Sequence, residues 1–251
     1  MRLQTLKQLA VVPLASALLV ACGSDNDNNS SKPKPPVAEP KSVELQISIT
    51  NLTAGQPQSP SGVIVHRSGY LAFDEGKAAS VAIEQMAEGG DAKPLLAEAN
   101  ANSQVLKTYE GPAAVGPGAN RTFTMKVDGV DNTAELYLTS LTMLVNTNDA
   151  FTGVNNVALG NLAVGESKRW NGPVWDAGTE LNSEASGTIP GPADTSSAAD
   201  KGFNAERNDL NNKVVFHPGV ITQAEGLSSS VLTVAHRFDQ PAVAIRVTRV
   251  K

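Results

Sequence analysis

The sequence predicts a mostly β protein, an antiparallel β-sandwich with two short helices in an insertion. Three observations carry that prediction. Apolar and polar residues alternate in several short runs, helical spacing is confined to one stretch, and Gly, Pro, Asn and Ser crowd the segments between. Many short strands, rich turns and a pair of excursion helices are the pattern of two packed sheets.

The elements follow in chain order. Val43, Leu45, Ile47 and Ile49 alternate with Ser42, Glu44, Gln46 and Ser48, the period of two expected of a half-buried strand. Gly62 to His66 is a shorter strand candidate. Ala78 to Glu88 places Val81, Ala82, Met86 and Ala87 at helical spacing and stops at Gly89-Gly90. Asp91 can cap a second helix running through Ala99, with Pro94 tolerated in its first turn. Gln104 to Thr108 is another short strand. Phe123, Met125 and Val127 restore the alternation, and Asp128-Gly129 follows as a turn. Leu136 and Leu138 open a strand whose phase slips near Ser140, the mark of a bulge. Arg169 to Trp175, Lys213 to Phe216 and Ser230 to Ala235 are further short candidates. Val243, Ile245 and Val247 alternate near the C-terminus, and Thr179 to Asn212 reads as one long loop.

The N-terminus reads as an address. Arg2 and Lys7 precede an apolar run from Leu9 to Val20, broken by Pro13 and ending in Leu19-Val20-Ala21-Cys22. Those are the parts of a secretory signal over residues 1–21, too short for a spanning helix. The cysteine at the cut makes it a lipoprotein signal, with Cys22 as the lipidation site. Each buried methylene of an acyl chain contributes roughly 0.8 kcal/mol, so several chains anchor a soluble domain. The partner expected there is the membrane, through the lipid. Gly23 and Ser24 place no acid after the cysteine, which in bacterial sorting points to the outer membrane, facing the periplasm or the outside. Cys22 is the single cysteine, so the mature domain has neither a disulfide nor a thiol for catalysis. Residues 22–41 are rich in Asn, Ser, Pro and Lys and read as a disordered tether. Residues 42–251 are then one domain with length enough for a full core. The net charge is −5, with no basic patch, which argues against nucleic acid as a partner.

No catalytic constellation emerges. The chain has no G-x-S-x-G elbow, no H-E-x-x-H and no phosphate-binding loop, and His66, His217 and His236 lie far apart. The reading is a non-enzyme. Asp25-x-Asp27-x-Asn29 begins like a calcium loop but has Ser30 and Pro36 where Gly and Glu belong. Two other acidic segments carry more. Asn146 to Phe151 follows an apolar strand ending at Val145, and Asp176 to Glu180 follows the strand candidate ending at Trp175. Both acids are expected to leave strands into loops at one end of a sandwich. There Asp149, Asp176 and Glu180 would repel unless a cation sat between them. Calcium takes six to eight oxygens at flexible geometry. The plainer reading is three solvated loop acids.

At these residues the chain resembles the spondin N-terminal domain family, over most of its length. The pieces are Asn51 to Pro57 with Ser59-Pro60, Val65-His66 with Ser68-Gly69, and Phe73 to Gly76 with Ala79-Ser80. Then come Ile83-Glu84 with Ala87 to Gly90, and Asp91 with Pro94 to Leu96. Met143 to Phe151, Asp176 to Asn182, Thr188 to Pro192 and Pro241 to Thr248 complete the series, and its order is what makes it specific. The resemblance implies a C2-like antiparallel β-sandwich with one calcium held in end loops by Asp149, Asp176 and Glu180. The last acid of that loop is Glu180 where the family also uses Asp, one methylene shorter. The implied role is a calcium-binding, membrane-tethered adhesion-type module with a protein or glycan ligand. The alternative is a structural envelope or matrix lipoprotein without a discrete ligand, and a hydrolase with an unrecognised site ranks third.

Overall fold

The computed structural model describes residues 41–197 and 201–251. Cys22, the signal segment and the tether up to residue 40 lie outside the described residues.

The long alternating run forms β1 (Ser42–Asn51), and the C-terminal run forms β10 (Val243–Arg249). They pair antiparallel with Ile47 opposite Val247. On its other edge β1 pairs with β4 (Asn120–Asp128), Ile47 facing Phe123, and β10 continues to β7 (Ser167–Gly172). This makes a four-stranded sheet in the order β4-β1-β10-β7. The odd-numbered residues of β1 are buried and the even-numbered ones face water, so one face of this sheet is core and the other solvent.

The second sheet has six strands in the order β3-β2-β5-β6-β8-β9. They are β2 (Gly62–His66), β3 (Val105–Glu110), β5 (Tyr137–Met143), β6 (Ala150–Ala158), β8 (Val174–Asp176) and β9 (Val215–Phe216). Every residue of β2 is buried, because this sheet is covered on both faces. Val63 and Val65 meet Leu45, Ile47 and Val247 in the core between the sheets. Ile64 points the other way, into a second core with Ile83, Met86, Leu95 and Leu96 from the helices. Those helices, α1 (Val81–Gly89) and α2 (Lys93–Asn100), are inserted between β2 and β3, which nonetheless pair directly.

The helix ends follow their local chemistry. The Ser80 hydroxyl accepts the Ile83 amide at the start of α1, and Gly90 ends it in the left-handed region. Asp91 accepts the Lys93 amide at 3.0 Å, and Pro94 sits in the first turn of α2. The α1 face differs from expectation: Val81 is 58 % exposed, and the buried side is Ala82, Ile83, Glu84, Met86, Ala87 and Glu88.

Three strand expectations need correction. Arg169 to Trp175 is two strands in two different sheets: the chain leaves β7 at Gly172 and enters β8 at Val174. Pro173 has no amide for a ladder and marks the crossing. Ser230 to Ala235 makes one bridge, Ser230 with Ala185, then a 3-10 turn over Val234–His236. The strand β6 was not anticipated, so Asp149 stands at a strand entrance while Asp176 stands at a strand exit.

The phase slip at Ser140 is a bulge, with Leu138 opposite Val157 but Ser140 opposite Val154. The extra residue lies on β6, where Asn156 has a positive φ. Asn155 uses the distortion to hold the preceding segment, accepting the Ala72 amide at 3.0 Å and donating to Phe73 O at 2.8 Å. Next to it Gly153 has φ 149°, and a Cβ there would strike the carbonyl oxygen of Ser140. Gly153→Ala therefore meets backbone in a conformation L residues avoid. We expect it to destabilise the protein by about 2–4 kcal/mol in urea unfolding, whereas Gly116→Ala, with open space around it and no positive φ, stays well below that.

Candidate metal centre

The pairing of β6 with β8 places Ala150 opposite Asp176, so Asp149 and Asp176 emerge side by side at one end of the sheet. The turn after Asp176 is fixed by Gly178, whose φ is 69° and whose missing Cβ would collide with the Lys213 backbone. Asp176 Oδ1 accepts the Gly178 amide at 2.8 Å. That turn swings the next amides back onto Asp149. Asp149 Oδ2 accepts Thr179 N at 2.8 Å, Glu180 N at 3.1 Å and the Thr179 hydroxyl at 3.2 Å. The other oxygen, Oδ1, is buried with no hydrogen-bond partner.

Two residues unforeseen as site members close the cluster from the helix layer. Glu84 and Glu88 lie four apart on the buried side of α1, at 2 % and 1 % exposure. One oxygen of each is engaged by the far end of the long loop. Arg207 pairs with Glu84 Oε2 at 2.6 Å, and Asn204 N donates to Glu88 Oε2 at 2.8 Å. The second oxygen of each, Oε1, is buried and unpartnered. The signal was present in the sequence: two glutamates at helical spacing among apolar residues, where acids are seldom buried without a partner.

The electrostatics are those of a crowded anionic site. Burial, with Glu88 and Asp149 close by, pushes the Glu180 carboxyl up to about 8. Burial and the neighbouring Asp176 raise Asp149, and burial raises both Asp176 and Glu88. Arg207 is the cation paired into this group. Buried carboxylates of this kind are ordinarily paired or hold a metal. Among the described residues, no three acidic or histidine side chains converge as a finished metal cage. Asp149 Oδ2 and Asp176 are instead turned towards amides. The donor set still fits a hard cation, since it is all oxygen and includes an orphaned oxygen on Asp149 and another on Glu88.

Of the three acids expected from sequence, the structure brings Asp149 and Glu180 into direct contact through the Glu180 amide, and places Asp176 on the adjoining strand. The histidines take structural parts. His66 bonds Arg67 O and Thr139, and His236 bonds Thr233. Buried His217 orients Asn182, which donates to Asp176 Oδ2 at 2.6 Å.

The chain belongs to the Spondin_N family, whose match spans residues 58–208. That stretch contains both helices, β2 to β8, Arg207 and all five acids of the cluster. No curated protein matches the chain.

Burial lowers His217 from 6.5 to about 4. Its folded value lies below its unfolded one, so neutral His217 supports the fold above about pH 6.5, and that support is lost as pH falls towards 4. The loss amounts to roughly 3 kcal/mol. In His217→Gln, the difference in unfolding free energy between pH 7 and pH 4, measured in urea, should shift by about that amount relative to the parent chain.

Proposed function

We propose that this chain is a calcium-ordered, adhesion-type binding module of the cell envelope, held at the outer membrane by lipid on Cys22, and that it is not an enzyme. The observation that carries the metal reading is the buried, unpartnered Oδ1 of Asp149 in a group of acids that outnumber their one guanidinium. Asp149, Asp176 and Glu180 would hold the ion, with Glu88 as a fourth carboxylate. Bound calcium would supply positive charge where the acids repel and would fix the loop before β6 and the loop after β8 to α1. A protein or glycan is the class of ligand such an end surface would present itself to. The engagement of all three histidines in structural bonds supports the non-enzymatic reading. No helix among the described residues is long and apolar enough to cross a membrane.

The test is a thermal melt in calcium and in excess chelator. A ligand at a hundred times its Kd stabilises by about 2.7 kcal/mol, a shift of several degrees for a domain of this size. Asp149→Asn and Asp176→Asn should abolish the calcium-dependent rise. Glu88→Gln should shrink that rise, yet melt higher than the parent chain in chelator, because a repelling charge is gone. Identical melts of the parent chain in the two solutions would end the calcium reading.

The tether is checked separately. Cys22→Ser should move the protein from the membrane fraction to the soluble extracytoplasmic fraction. Continued membrane association of that variant would remove the lipid anchor from the proposal.

A further inference from the structure

We infer that the solvent face of the four-stranded sheet is a binding site for an acidic polysaccharide. It is separate from the acidic cluster, which lies by the helices on the far side of the second sheet. The outward residues of β1, β4, β7 and β10 form a groove of about 420 Å³, and at its middle Arg169 and Arg246 stand directly opposite each other on neighbouring strands. Cross-strand neighbours have Cβ atoms about 4.5–5.5 Å apart, and like charges at that spacing destabilise a sheet. Both side chains are exposed, and neither forms an ion pair or hydrogen bond with any described residue. On a chain of net charge −5 an acid to face them would be easily supplied, yet the strand positions around them carry none. The outward partner of Arg246 on β1 is Ser48, and the outward partner of Ser48 on β4 is Thr122.

The rest of the groove says what accompanies the anion. Beside the arginines lies a patch of hydroxyls and amides already held in place. Asn120 donates to Ser48 and to Thr50, both at 2.7 Å, and Thr122 donates to Asn120 at 3.0 Å. Guanidinium forks take carboxylate or sulfate in paired hydrogen bonds, and oriented hydroxyls and amides match the hydroxyls of a sugar ring. A lone inorganic anion would use the arginines and leave that patch idle. Single-stranded nucleic acid stacks its bases on aromatic rings, and this groove is lined by none. An acidic polysaccharide uses both halves, its acid group across Arg169 and Arg246 and its hydroxyls over Ser48, Asn120 and Thr122.

The experiment measures binding of the full chain to immobilised hyaluronate at low salt, with neutral dextran, polyglutamate and single-stranded DNA as comparison polymers, each in calcium and in chelator. The expected result is binding to hyaluronate in both solutions, weakened by salt, and at least tenfold weaker binding to the other three. Arg169→Ala with Arg246→Ala should reduce hyaluronate binding at least tenfold. Lysine at both positions, which keeps the charge and loses the fork, should restore only part of it. Asn120→Ala should weaken it severalfold. Melting curves of these surface variants, matched to the parent chain, confirm that they are folded. Absence of hyaluronate binding, equal binding to polyglutamate or DNA, or full binding by the double alanine variant would each overturn the inference. Binding that vanishes in chelator while the arginine variants bind normally would also overturn it, and would leave the calcium reading intact.

Discussion

The constraint on which this molecule is organised is the burial of Asp149. A carboxylate withdrawn from water must be met by donors or by a cation, and the fold meets only half of it. The amides of Thr179 and Glu180 take one oxygen, which requires the tight turn at Gly178, which in turn requires β8 to end beside the start of β6. Glu84 and Glu88 on the helix layer then draw in Arg207 and Asn204 from the end of the long loop. The loop, α1 and the strand ends are thus organised around one group of negative charge.

The two-sided burial of the second sheet explains why this cluster is internal. A sandwich alone would leave the outer face of β5 and β6 to water. Here α1 and α2 cover it, with Ile83, Met86 and Leu95 packed against Ile64, Leu141 and Phe151. Glu84 and Glu88 are carried in on the same face. The four-stranded sheet has no such cover, and its outward residues, Ala244 apart, line the groove with polar side chains.

How much of this was legible depended on whether a local period survived the tertiary setting. The strands with one wet face, β1, β4 and β10, announced themselves by alternation, and Ser80, Gly90 and Gly129 marked the ends of their elements. The strand β6 did not, because its first five residues are buried whatever their parity and its remainder is bulged. Asp149 does lie in the loop that follows an apolar strand, as its sequence suggests, but that loop is the connection between β5 and β6. Arg169 to Trp175 looked continuous because each half carries strand-like residues, and only Pro173 hinted that the chain changes sheets. In the site, Asp149, Asp176 and Glu180 were legible from loop chemistry and family resemblance. Glu84 and Glu88 are hidden because Val81, which shares their helix at apolar spacing with Ala82, Met86 and Ala87, faces water instead of the core. Arg169 and Arg246 are 77 positions apart, and only the strand register makes them neighbours.

The placement of β10 bears on the order in which the fold can form. It lies between β1 and β7 in the four-stranded sheet, and it follows every other described strand in sequence. Until its residues emerge, β1 lacks a neighbour on one edge and Val43, Leu45 and Ile47 have no complete sheet in which to bury. The first and last strands of the domain must therefore find each other across nearly its whole length, a closure that is entropically costly and slow. Such a chain completes its four-stranded sheet only once residues 243–249 are free to pair with β1 and β7.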